Sequence, residues 1–434
     1  MFYSHKRLTL AGIMLCLALL IVSCQLFPSP GTGKTPTSSL AHGVTPTTVP
    51  MPPTETSCPV AGTARAAVMF PLLLGNHANV VYVYNKGRGS TPHPLGASLK
   101  RYDATTSSAT VVMTVTNASI DQAQLSSDRQ WVLFTTQVSG RSALQLVRMD
   151  GQGQQTLYCA ASNEQIGAIA WSPDQGYVAF QEGMNVYLLK IATGTYQLKV
   201  HASTTMYYVL RTWLDTTHLY LAGIAVGTET PPLNLYLLDI TTGKVQQILT
   251  SPALCGDFDR SIEGHSLFTS ECQFVMPTAD GPSSIQVRPA TGGPAKTIYT
   301  TPSYAITSLR VASASTLLFV IHNTGVGAID TSHNGLWKVN TDGTGLSRLT
   351  DEAADDVTVF PFIRTPWSVI SRNGGNYAIQ VDTYASSTPG TMMPFIRSSL
   401  LIGSLSGGQP VAFVTLAHNT GTIDTLDIVG WTTM

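Results

Sequence analysis

The chain has 434 residues, a formal net charge of −1 at pH 7, and only 11% Asp, Glu, Lys and Arg. Near-neutrality excludes the basic footprint by which proteins hold nucleic acid. A charged fraction far below the ~25% usual in soluble domains excludes long-helical architectures, which need Glu, Lys and Arg on their wet faces. Ser, Thr, Gly, Gln and Asn supply the polarity instead, a usage suited to a β-rich protein outside the cytoplasm.

In chain order, the first element is an export signal. His5, Lys6 and Arg7 precede an uncharged apolar run over residues 8–22, the layout of a secretory signal. The run is shorter than the ~20 residues needed to span a bilayer. Its ending, Leu20-Ile21-Val22-Ser23-Cys24, resembles a bacterial lipobox. That resemblance implies a signal peptide over residues 1–23, cleavage before Cys24, and a lipid on the Cys24 thiol. Two or three acyl chains then fix the protein to the membrane, which one chain alone does only marginally. Gln25 follows, so no Asp at that site signals inner-membrane retention, and the expected location is the extracytoplasmic face, at the cell surface or in the periplasm.

Residues 24–62 are rich in Pro, Thr, Ser and Gly. They bury too little apolar surface to offset their ordering entropy and read as a semi-stiff disordered tether. Pro30-Gly31-Thr32-Gly33-Lys34-Thr35 imitates the end of a phosphate-binding loop, but Pro28 stands where the motif's first glycine belongs, and neither the strand nor the helix is present.

From residue 63 to 434 short β-rich runs alternate with turn residues, and a unit repeats. Its clearest copy runs Trp171-Ser-Pro173-Asp174-Gln-Gly176-Tyr-Val-Ala-Phe180, then Asn185 to Ile191, Thr193-Gly194 and Tyr196 to Val200. This is four antiparallel strands, one propeller blade. Further copies centre on Trp131 to Phe134, Trp213 to Leu221, Leu267-Phe268, Leu317 to Val320 and Tyr377 to Ile379. The runs at 171–180 and 336–350 resemble the TolB-type propeller repeat, itself related to WD-repeat blades. Six copies fill residues 118–417. Leu426 to Trp431 then reads as the first strand of a further blade, whose second, third and fourth strands are Val80 to Tyr84, Ser98 to Tyr102 and Thr110 to Val115. The expected fold is an all-β propeller of seven four-stranded blades closed by its two ends, which removes free inner edges; six or eight blades are the alternatives.

Outside Cys16 and Cys24 the cysteines are Cys58, Cys159, Cys255 and Cys272, compatible with two disulfides in an exported chain. Cys255–Cys272 is preferred because the two flank a short turn-bearing segment; closing it contributes roughly 3 kcal/mol in the chain-entropy model. Cys58–Cys159 would tie the tether to the domain, and four free thiols are the remaining possibility.

No catalytic constellation emerges. Gly403-Ser-Leu-Ser-Gly407 has Leu405 where a nucleophile elbow needs serine. His322 and His333 read as loop residues. The acidic stretch 351–356 could hold Ca²⁺ through oxygen ligands, though its plain reading is a solvated loop. No cofactor is expected. The expected function is that of a monomeric binding or scaffold module for an envelope protein or glycan, with the insertions at 223–232, 323–334 and 382–394 as contact loops. The alternative is a carbohydrate lyase or hydrolase with its site at the mouth of the central channel.

Overall fold

A computed structural model of the chain describes residues 57–59, 72, 75–87, 95–138, 140–161, 164–226, 234–250, 254–272, 282–301, 305–322, 332–351, 358–359, 369–384, 395–417 and 424–433. The proposed signal peptide, Cys24, the phosphate-loop lookalike and nearly all of the tether lie outside them.

The local pattern first makes strands, and the strands make blades. In Tyr177–Glu182 (β9) nearly every side chain is buried, whereas Thr195–Val200 (β11) is mostly exposed. A middle strand sandwiched between neighbouring blades loses water on both faces; the outermost strand keeps it. Hence Val-Val-Tyr-Val of Ala78–Lys86 (β1), Trp-Val-Leu-Phe of Trp131–Val138 (β5) and Leu-Leu-Phe-Val of Thr316–His322 (β21) are continuous apolar runs rather than alternating ones.

Among the described residues, twenty-eight strands form seven four-stranded antiparallel sheets, a seven-bladed β-propeller. Six blades are consecutive: β4–β7 from Ser119 to Cys159, β8–β11 from Ile166 to Val200, β12–β15 from Met206 to Leu249, β16–β19 from Leu254 to Thr301, β20–β23 from Ala305 to Thr350, and β24–β27 from Thr358 to Ala417. They are blades 2 to 7. Blade 1 joins the two ends: Thr425–Thr433 (β28) is its first strand, followed by β1, Gly96–Asp103 (β2) and Ser108–Thr116 (β3). The β28–β1 register runs from Ala78 opposite Thr433 to Asn85 opposite Thr425. Asp424 fastens the junction, accepting the Tyr84 hydroxyl at 2.7 Å and the Gly87 N–H at 2.8 Å.

A repeated turn joins first to second strands. In blade 3 the Ser172 hydroxyl donates to Asp174 (2.6 Å) and accepts the Tyr177 N–H (2.9 Å). Ser126 with Asp128 and Trp131 N–H, and Ser371 with Asn373 and Asn376 N–H, repeat the pattern in blades 2 and 7. The residue after the Asp or Asn takes a left-handed φ: +63° at Arg129, +60° at Gln175 and +72° at Gly374.

Between blades, side-chain amides do what a ladder cannot. The first strands bulge: two residues are skipped between Ile166 and Ile169, and likewise between Leu210 and Trp213. Bulging takes backbone groups out of the ladder. The neighbouring blade supplies partners. Gln124 of β4 donates to Ile169 O (2.7 Å) and accepts the Trp171 N–H (3.1 Å). Gln181 does the same for Tyr208 and Leu210, and Asn85 for Ile120. Trp213 Nε1–H donates to Ala170 O at 2.9 Å, and Trp131, Trp171, Trp213 and Trp431 are all fully buried. Left unmade, each such buried group would cost about 1–3 kcal/mol.

Cys58 and Cys159 form a disulfide with their Cα atoms 5.8 Å apart, tying the segment before β1 to the last strand of blade 2. The side chains of Cys255 and Cys272, the pairing preferred from spacing, lie outside the described residues. Cys58–Cys159, the pairing expected to tie the tether to the domain, folds Cys58 back across a sequence separation of 101.

Candidate functional site

The up-and-down topology sorts the connections by end. Second-to-third and fourth-to-first strand links meet at one end, first-to-second and third-to-fourth links at the other. The longest second-to-third links, from 86 to 96, 225 to 234, 272 to 283, 322 to 335 and 384 to 395, therefore share one end. The other end carries short hairpins, apart from the stretch between Val359 and Asn376. The expected contact loops at 223–232, 323–334 and 382–394 lie largely outside the described residues, but the strands that hold them all stop at this long-link end.

The chemistry on the ring's inner wall concentrates in blades 4 to 6. Arg211 falls in the bulge of Met206–Trp213 (β12), Asp257 in that of Leu254–Arg260 (β16), and Arg310 closes that of Ala305–Ser313 (β20). Arg310 Nη1 donates to both Asp257 oxygens, at 2.9 and 2.8 Å, and to Leu309 O at 2.5 Å. The pair is largely buried, with 10% and 20% of the side chains exposed. Asp259 lies beneath, accepting the Val311 N–H at 2.8 Å and the Arg260 N–H at 2.9 Å. Arg260 donates to Ser261 O and Ile262 O. Arg211 is different. Its Nε is buried without a partner, and its guanidinium makes no hydrogen bond or ion pair among the described residues. Burial depresses its pKa; Asp257 opposes this and Arg310 reinforces it. Asp259, Asp215 and Glu263 answer Arg260, and Asp257 pairs with Arg310, which leaves the buried Nε of Arg211 as the donor without an acceptor. Such a site takes a carboxylate or another anion, which would satisfy the spare guanidinium.

Asp259 has a measurable signature. Burial pushes its carboxyl up to about 6, against the lowering by Arg310 and by its backbone donors. A folded pKa above the unfolded one means that the folded chain binds more protons between about pH 4 and about pH 6. This contribution is full below the unfolded pKa and is lost as the pH rises through the folded one. Asp259→Asn is expected to remove that downward slope, worth roughly 2–3 kcal/mol. Urea melts of both chains across the window check it; parallel stability profiles would refute it.

None of the other sequence candidates that are described joins this cluster. His333 is exposed, stacked on Trp337 and bonded to Ser332, while the His322 side chain lies outside the described residues. Of the acidic stretch 351–356 only Asp351 is described. Among the described residues no three His, Cys, Asp or Glu gather to hold a metal. Gly403 is a packing glycine, since a Cβ there would come 2.1 Å from the Tyr377 ring. Beside the disulfide, a cavity of about 180 Å³ is lined by Pro59, Leu157, Tyr158 and Tyr196. Its Tyr158 hydroxyl donates to Glu182 at 2.8 Å and is thereby spoken for. The Arg211–Asp257–Arg310 cluster was missed in the sequence because its members sit in three different blades. The only local signal was charge in these first strands: Arg211 in β12, Asp257, Asp259 and Arg260 in β16, and Arg310 in β20.

No protein-family model matches the chain, and no curated protein matches it in sequence. Solved structures do resemble its fold. An oligogalacturonate lyase in complex with manganese aligns with a TM-score of 0.50 and 12% identity, over 78% of this chain and 85% of that one. The oligogalacturonate lyase of Vibrio parahaemolyticus gives 0.50 and 11%, over 78% and 86%. TolB of Acinetobacter baumannii gives 0.41 and 13%, over 64% of each chain, so this chain spans just under two thirds of that TolB.

Proposed function

We propose that the chain is an extracytoplasmic lipoprotein, held by lipid on Cys24 and a tether, whose propeller is a binding module for an envelope protein or glycan bearing an anionic group. The observation that carries the binding reading is Arg211: a mostly buried, unpartnered guanidinium on the ring's inner wall is costly and is repaid by a ligand anion. The cluster's remaining charges hold each other and are suited to orient rather than to react. The lipid reading rests on the Leu-Ile-Val-Ser-Cys ending alone. An acidic-glycan lyase is the second reading, favoured by the shared fold of the two oligogalacturonate lyases and by the unsatisfied Nε of Arg211.

The experiment compares the intact chain with Arg211→Glu for retention on immobilised polygalacturonate and on envelope fractions. At least a tenfold loss in the variant is expected on the ligand that binds the wild type; equal retention refutes the anion reading. Release of unsaturated uronate products by the wild type would decide for the lyase. In the same cells Cys24→Ala is expected to leave the membrane fraction, and its continued association with membranes would overturn the lipid anchor.

A further inference from the structure

The opposite end of the ring carries a second arrangement of cations. Arg129 and Arg372 occupy the first-to-second-strand turns of blades 2 and 7, the two blades that flank the closing blade. The end of β28 lies between them, and Thr432 Oγ1 donates to Arg129 O at 2.6 Å. Arg129 holds a left-handed φ of +63°, where the matching residues of blades 5 and 7 are Gly264 and Gly374. Gln175 takes the same φ in blade 3, and the Arg129 N–H closes the turn on Ser126 O at 2.9 Å, so the backbone here belongs to the turn and the side chain is left to act elsewhere. Arg129 Nη1 is buried with no partner, and neither guanidinium makes a hydrogen bond or ion pair among the described residues. The nearest carboxylate in sequence, Asp128, is taken up by the Ser126 hydroxyl and the Gln130 N–H. In blade 7 its place is held by the neutral Asn373. Burial, with repulsion from Arg372, lowers the Arg129 pKa to about 10, so the two cations feel each other.

We propose that Arg129 and Arg372 form an oxyanion site for a phosphate group, at the end of the ring away from the long connections. Two uncompensated guanidiniums match a phosphate in charge, and their planar donor forks match its oxygens. A single carboxylate would leave one cation unanswered. Arg372 is exposed and Arg129 half-buried, so a ligand reaches the pair from solvent while Nη1 of Arg129 gains its missing acceptor. The phosphate could be free or part of a headgroup or polymer.

The test is thermal melting of the full chain with inorganic phosphate replacing chloride at constant ionic strength. A parallel arm uses the soluble diester glycerophosphoglycerol. The wild type and the exposed-control variant Arg141→Gln are expected to melt higher as phosphate rises. Arg372→Gln should need at least tenfold more phosphate for the same rise, while melting no lower than wild type in chloride, because a like-charge contact is relieved. Arg129→Gln should behave alike. A response to both anions assigns the site to a phosphodiester group, and a response to inorganic phosphate alone assigns it to free phosphate. A wild type indifferent to both, or variants with the wild-type phosphate dependence, would overturn the proposal.

Discussion

A chain ending at Gly421 is expected to lose the cooperative melting transition of the ring altogether. Truncation there removes β28, whose Leu426, Ile428, Val429 and Trp431 are essentially inaccessible. Burying each such side chain contributes about 1.5–3 kcal/mol, so the four together rival the 5–15 kcal/mol by which a domain is usually stable. The loss also strips β1 of a partner along its whole length and uncovers Val80, Val81 and Val83 on the inner side of blade 1. Trp431→Ala is the milder version, expected to cost about 3–5 kcal/mol. Calorimetry and dye binding to exposed apolar surface check both. An unchanged melting curve of the truncated chain would mean that the ring does not depend on its own end for closure.

The second large effect belongs to the disulfide. Cys159→Ser is expected to lower the unfolding free energy by about 2–4 kcal/mol, read as the shift in urea midpoint at constant slope. Cys58 and Cys159 have a sequence separation of 101, and the second, third and fourth strands of blade 1 and the strands of blade 2 lie in that span. Closing so long a loop takes much entropy from the unfolded chain. The double variant with Cys58→Ser should be no worse than the single one, because both remove the same bond. Additive losses, or no loss in either, would show that the bond does not restrain the unfolded chain.

Much of this architecture was legible because it is local. Blades 2 and 3 announce themselves by a continuous apolar middle strand, a Ser-x-Asp turn and a Gly-bearing hairpin, the other blades keep part of that pattern, and the unmatched strand at residues 426–431 pointed to the closure. The turn residues were readable as turn chemistry: Ser172, Asp174 and Tyr177 lie close enough in sequence for their bonds to follow from the spacing. Gln124, Gln181 and Asn85 were not readable as clasps between blades. An amide in a strand looks like any solvated polar residue until a bulge in the next blade presents an N–H and a C=O for it to bridge.

The same divide separates fold from site. Strand periodicity, repeat length and turn chemistry act over a few residues, so the amino-acid order alone pointed to blades and to closure by the two ends, while the choice of seven over six or eight was decided by the folded ring. It also supplied the grounds for expecting export and a lipid on Cys24. Which charges meet was decided in three dimensions. Arg211, Asp257 and Arg310 come from three blades, and only the bulged inner wall brings a paired and an unpaired guanidinium to one carboxylate. Arg129 and Arg372 approach because the closing blade sets blades 2 and 7 on either side of β28. The Cys58–Cys159 bond likewise depended on the ring, which returns Cys58 to the last strand of blade 2 across a sequence separation of 101.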